Sequence, residues 1–155
     1  MADVLGYLSL HLHAHLPFVR HPEYEDFLEE DWLYEAITET YLPLLRVFDR
    51  ATDEGIPFRL SLTLSPPLVA MLRDDLLMSR YARRMEKLRE LADKEVHRTR
   101  GDPTFHPLAQ HYQREFAELS SLFGDRYHRD LVGAFRRLEE AGRLELVTCG
   151  ATHGF

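Results

Sequence analysis

Apolar and polar positions alternate in three places along the chain and recur at helical spacing between them. Over about residues 4–15, Leu8, Leu10 and Leu12 alternate with Ser9, His11 and His13, the period of two that marks a strand with unlike faces. The same period returns at Phe58, Leu60, Leu62 and Leu64, predicting a second strand over about 57–64. A third, Leu-Glu-Leu-Val-Thr-Cys, is predicted over about 144–149. After the first strand comes a loop over about 16–30, with Pro17, His21-Pro22 and an acidic run. Then Leu33, Ile37, Tyr41, Leu44, Leu45 and Phe48 line one helical face over about 31–53. Pro43 inside that run predicts a kink or two abutting helices, and Gly55 a carboxyl-terminal cap.

Between strands two and three the spacing predicts further helices over about 75–99, 106–122 and 130–141. Ser65-Pro66-Pro67 has the form of an N-cap followed by helix-start prolines, and Gly142 that of a stop. Strands separated by helices predict a parallel sheet of α/β class. The stretch over about 66–142 is far longer than one crossover requires, so a helical insertion is expected there. The chain stops six residues after the third strand, in Ala-Thr-His-Gly-Phe, which reads as a truncated domain.

Composition narrows the class. The 155 residues are 45% hydrophobic and 29% charged, enough apolar content for a core and too much for disorder. A formal net charge of −7 argues against nucleic acid as a partner, since an acidic chain repels phosphate. The lone Cys149 excludes an internal disulfide framework and a multi-cysteine zinc site. No basic leader precedes the first strand, and no run approaches the ~18 apolar residues of a membrane span. A cytoplasmic protein without a membrane partner is expected.

The chemistry concentrates in two places. In a strand, His11, His13 and His15 share one face while the leucines take the other. Ligands of parallel sheets bind outside the carboxyl ends of the strands, where His13 and His15 fall; His11 lies deeper. Such a His-x-His can present two imidazoles to Zn²⁺, or it can supply hydrogen bonds to sugar hydroxyls. The second place is Thr148-Cys149-Gly150-Ala151-Thr152-His153-Gly154-Phe155, on the same rim after strand three.

Other features read as structural. Arg80, Arg83, Arg84 and Lys87, with Glu86 and Glu90 interspersed, form a solvated helix face. Tyr34 and Tyr41 fall at core spacing with Trp32, and Cys149 reads as a small core residue. The acidic loop residues Glu23, Glu25, Asp26, Glu29, Glu30 and Asp31 have no evident partner. Glu145 is placed on the solvent or helix side, so the chain contains no carboxylate pair spaced for glycoside chemistry.

Three motifs in order carry a family resemblance. His13-Ala14-His15-Leu16-Pro17-Phe18-Val19-Arg20 resembles the first signature region of family 57 glycoside hydrolases, most closely their α-1,4-glucan branching enzyme group. The segment from Trp32 to Leu45 resembles the helix that follows there, and Glu145 to Phe155 resembles the second signature region. The Cys149-Gly150 pair stands where relatives carry other small residues. The resemblance implies the amino-terminal part of a (β/α)7 barrel, with residues 1–155 as an incomplete catalytic domain. It implies that His13, His15 and His153 bind the substrate, an α-glucan, with no metal and no cofactor. It also implies that the catalytic Glu nucleophile and Asp acid/base lie beyond Phe155, so this stretch alone would be inactive. The implied activity is branching by retaining transfer, with α-amylase or 4-α-glucanotransferase as close alternatives. A His-x-His metallohydrolase and a non-catalytic glucan-binding module are the alternatives from other classes.

Overall fold

The computed structural model describes residues 5–151. Three strands, β1 (His11–Ala14), β2 (Leu60–Leu64) and β3 (Leu144–Val147), pair in parallel in the order β1-β2-β3. Between β1 and β2 lie α1 (Glu30–Ala36) and α2 (Leu42–Asp53). Between β2 and β3 lie α3 (Pro66–Leu72), α4 (Asp75–Arg98), α5 (Phe105–Ser121) and α6 (Leu131–Glu140). The α/β class expected from the pattern is therefore observed.

The register aligns His11 with Ser61 and Glu145, Leu12 with Leu62 and Leu146, and His13 with Thr63 and Val147. Side chains alternate across a strand, so each row shares a face. The leucine rows pack on the helices: Leu62, Leu64 and Leu144 are buried in one core with Leu33, Ile37, Leu45, Leu68, Tyr81 and Phe135. On the other face His11, His13 and Glu145 are exposed.

Strand one is shorter than its alternation predicts. Leu5, Tyr7, Leu8 and Leu10 are exposed and lie outside the strand. The ladder requires a partner, and β2 begins only at Leu60; the first cross-strand bond runs from Ser61 N–H to the Leu10 carbonyl. The first helical run is divided at the predicted proline. A π-helical turn over Ile37–Tyr41 joins α1 to α2, and the Leu42 amide reaches the Ile37 carbonyl five residues back. Pro43 occupies the first turn of α2, where its missing amide costs least.

Helix ends are settled locally. Asp74 and Asp130 cap α4 and α6 by accepting from the Leu77 and Gly133 amides. Gly55 and Gly142, both at φ +68°, close α2 and α6 in the left-handed region that only glycine enters cheaply. In each case the following amide bonds the carbonyl five residues back, Ile56 to Ala51 and Arg143 to Leu138. Among the described residues no helix is long and apolar enough to cross a membrane.

Candidate functional site

The carboxyl ends of β1 and β2 meet at one rim, where Ser65 N–H donates to the Ala14 carbonyl at 3.1 Å. Two β1-side histidines are held there by β2 hydroxyls. His11 Nε2 lies 2.8 Å from Thr63 Oγ1, and His15 Nδ1 lies 2.9 Å from Ser65 Oγ. The His13 and His15 ring centroids are 6.4 Å apart, so the two imidazoles form one polar surface. Beside them opens a cleft of about 360 Å³, lined also by Leu12, Thr40, Tyr41, Leu44 and Phe135. Burial pushes the Tyr41 phenol up to about 12, so it remains a neutral hydroxyl. A larger cleft of about 410 Å³ lies apart, between the α3–α4 junction and the start of α6.

His13 and His15 thus stand together on the predicted rim; His153 lies outside the described residues. No group of three or more His, Cys, Asp or Glu side chains converges as a metal site would need, among the described residues. Neutral imidazoles and hydroxyls at such a rim can donate and accept hydrogen bonds, the chemistry that sugar hydroxyls require.

Ser65 and Cys149 differ from expectation. Ser65 occupies the N-cap position of α3, yet its side chain makes no capping bond and holds His15 instead. Pro66 and Pro67 open that helix, and prolines have no amide to cap. Glu145 is on the solvent side as expected, where it shares the histidine face and accepts from the Ser61 hydroxyl at 2.8 Å. Cys149 is half-buried rather than a core residue.

The basic face of α4 is not merely solvated, because the acidic loop after β1 is its partner. Arg80, 7% exposed, donates to Glu30, 1% exposed, at 2.6 Å. Arg80 also donates to the His21 and Tyr24 carbonyls, while Glu30 accepts from the His21 amide and the Tyr34 hydroxyl. Burial, and then the Glu30 carboxylate, push the Tyr34 phenol far upward. Around this buried pair, Arg84 meets Asp31, Arg83 meets Glu25 and Lys87 meets Asp26. At the other end of the loop Arg20 pairs with Asp74 at 2.6 Å, and the Val19 amide reaches Met71 Sδ. The segment leaving the histidine rim is therefore tied at both ends to the helices after β2. Sequence reading missed this tie, since its two halves stand about fifty residues apart; their opposite charge was the one signal available.

The chain is 31% identical over 150 residues to a 1,4-alpha-glucan branching enzyme of Thermococcus kodakarensis, matching 97% of this chain and 22% of that enzyme. It therefore spans about a fifth of that relative's length. Among solved structures, the alpha-amylase AmyC of Thermotoga maritima superposes with a TM-score of 0.87 at 49% identity, over 94% of this chain and 27% of that one. A GH57-type branching enzyme of Pyrococcus horikoshii gives 0.88 at 30% identity, over 96% and 28%. The model of glycosyl hydrolase family 57 matches residues 9–155, and the chain belongs to that family.

Proposed function

We propose that this chain supplies the first strands of a (β/α)7 barrel in a 1,4-α-glucan branching enzyme, and that its rim holds the glucan through His13, His15 and His153. One observation carries the reading: in a family 57 chain, His13 and His15 stand together at the carboxyl end of a parallel strand, beside a cleft. Retaining transfer proceeds in two displacements. A carboxylate attacks the anomeric carbon and releases the reducing-side chain, which takes a proton from the acid/base. A glucan 6-hydroxyl, giving its proton back to the acid/base, then attacks the anomeric carbon of the glucosyl ester and frees the carboxylate. In this proposal the Glu and Asp for these steps lie beyond Phe155, as the family resemblance implies. The histidines contribute binding: hydrogen bonds to hydroxyls that strengthen as the ring distorts favour the transition state over the ground state. A cytoplasmic setting belongs to the same reading.

One observation favours a second reading, hydrolysis, because the structural relative of 49% identity bears the name alpha-amylase. The two readings differ in the acceptor, a 6-hydroxyl or water. The test is to incubate the full-length protein with amylose and follow both reducing ends and α-1,6 anomeric proton signals. Branching raises the α-1,6 signal while reducing ends stay constant. Rising reducing ends without that signal would establish the amylase, and no change in either would refute glucan chemistry. His153→Ala is expected to lower turnover by orders of magnitude, as the loss of a donor to a transition-state hydroxyl does; unchanged turnover would remove His153 from the site.

A further inference from the structure

We infer that Ser65 is a positioning residue, which holds the ring of His15 and sets its tautomer; this rests on the reading of His15 as a glucan-binding residue. Ser65 is fully buried, at 0% exposure. A buried hydroxyl requires an acceptor for its hydrogen, since leaving it unmade costs more than the bond contributes. Among the described residues the Ser65 hydroxyl has one hydrogen-bond partner, His15 Nδ1 at 2.9 Å. The hydroxyl proton therefore points at Nδ1, which must carry a lone pair, and the imidazole proton resides on Nε2.

The sequence around Ser65 shows why its hydroxyl is free for this task. An N-cap side chain accepts from the second or third amide of its helix. Here the first two helical residues are Pro66 and Pro67, and the serine caps nothing. The double proline starts α3 by fixing φ, without help from the serine. Backbone geometry then places the hydroxyl: Ser65 N–H is bonded to the Ala14 carbonyl, and the residue after Ala14 is His15. A second hydroxyl on β2 also meets a β1 histidine, though diagonally: Thr63 lies 2.8 Å from Nε2 of His11, not of its register partner His13. Serine and threonine on one face of β2 thus form a row of hydroxyls that holds the β1 histidines from behind. An imidazole whose second nitrogen is held by a fixed partner keeps its ring plane and tautomer, as histidines do at other binding sites.

The test uses full-length protein with isotopically labelled histidine, and maltohexaose as the probe. Nitrogen NMR is expected to show His15 in the Nε2–H tautomer in the parent. In Ser65→Ala the tautomers should mix and KM for maltooligosaccharide rise about tenfold with a smaller change in kcat, as when a binding imidazole loses the partner that orients it. Ser65→Thr, which keeps a hydroxyl, should restore the tautomer and most of the affinity. Because no cap is lost, thermal unfolding of Ser65→Ala should shift by only a few degrees, and a folded variant makes the ring signals interpretable. An unchanged His15 tautomer in Ser65→Ala, while His15→Ala still weakens binding, would overturn the inference and leave the glucan reading standing. Unchanged maltohexaose affinity in both variants would instead overturn the glucan reading, and the inference with it.

Discussion

Two polar regions of this molecule are built from opposite arrangements of the same kinds of group. At the β1–β2 rim, histidines stand on an exposed strand face, steadied from behind by Thr63 and Ser65. At the loop over residues 16–29, charge is driven inward: Glu30 and Arg80 are almost wholly buried, and Arg80 Nε has no hydrogen-bond partner among the described residues. The first arrangement leaves ring nitrogens at an accessible surface, where a ligand can exchange for water. In the second, the buried charges are spent on each other and on backbone carbonyls and amides. Its value is to hold the chain that leaves β1, and hence the rim itself, against α4. The comparison separates polar groups kept for binding from those consumed in structure.

Breaking the buried side should have the largest effect. Arg80→Met strands the Glu30 carboxylate in the interior and should cost about 3–5 kcal/mol, since removing one partner of a buried pair leaves a naked charge. Urea unfolding of parent and variant measures it; a loss below about 1 kcal/mol would show that the pair is solvated after all. Next in size is Gly133→Ala on α6. A Cβ there would lie 2.1 Å from Asp130 Oδ2, so the capping carboxylate must leave its bond to the Gly133 amide. The cost should be about 1–2 kcal/mol, typical of a lost N-cap, and the melting temperature should fall accordingly.

Alkali gives a third test. Burial raises Tyr41 and Tyr81 to about 12. A phenol raised in the folded state contributes stability that is complete below its unfolded value near 10 and lost as pH climbs through about 12. Unfolding midpoints should thus stay level to about pH 9–10 and then decline steeply, with tyrosinate absorbance appearing as the protein unfolds. Phenols that ionise at the ordinary value in folded protein would contradict their burial. The smallest effect belongs to Trp32, which is 50% exposed. Trp32→Ala should move stability by only about 0.5 kcal/mol, unlike the buried Tyr34 and Tyr41 beside it on the helix.

The same contrast explains what the sequence disclosed. Strands, helices and their parallel order follow from local periodicity, so β2, α4 and α6 stand close to where the spacing puts them. The histidine rim was legible because three residues at period two share a face by geometry alone. Strand one was overestimated, since Leu8 and Leu10 alternate correctly but lie outside the strand, which begins at His11. Ser65 stands at the N-cap position its pattern predicts, but only the neighbouring strand reveals the histidine its side chain serves. Glu30 and Arg80 lie fifty residues apart, and no periodicity links them. Interactions made across the fold are set by tertiary packing, which alternation and cap signals do not encode.

The central claim is that the β1 histidine face binds α-glucan, and histidine ring signals of the full-length protein test it directly during titration with maltohexaose. The account predicts that His13 and His15 signals, assigned by single substitution to glutamine, shift together and saturably, while that of His111 on α5 stays still. Unmoved His13 and His15 signals at saturating oligosaccharide would contradict it.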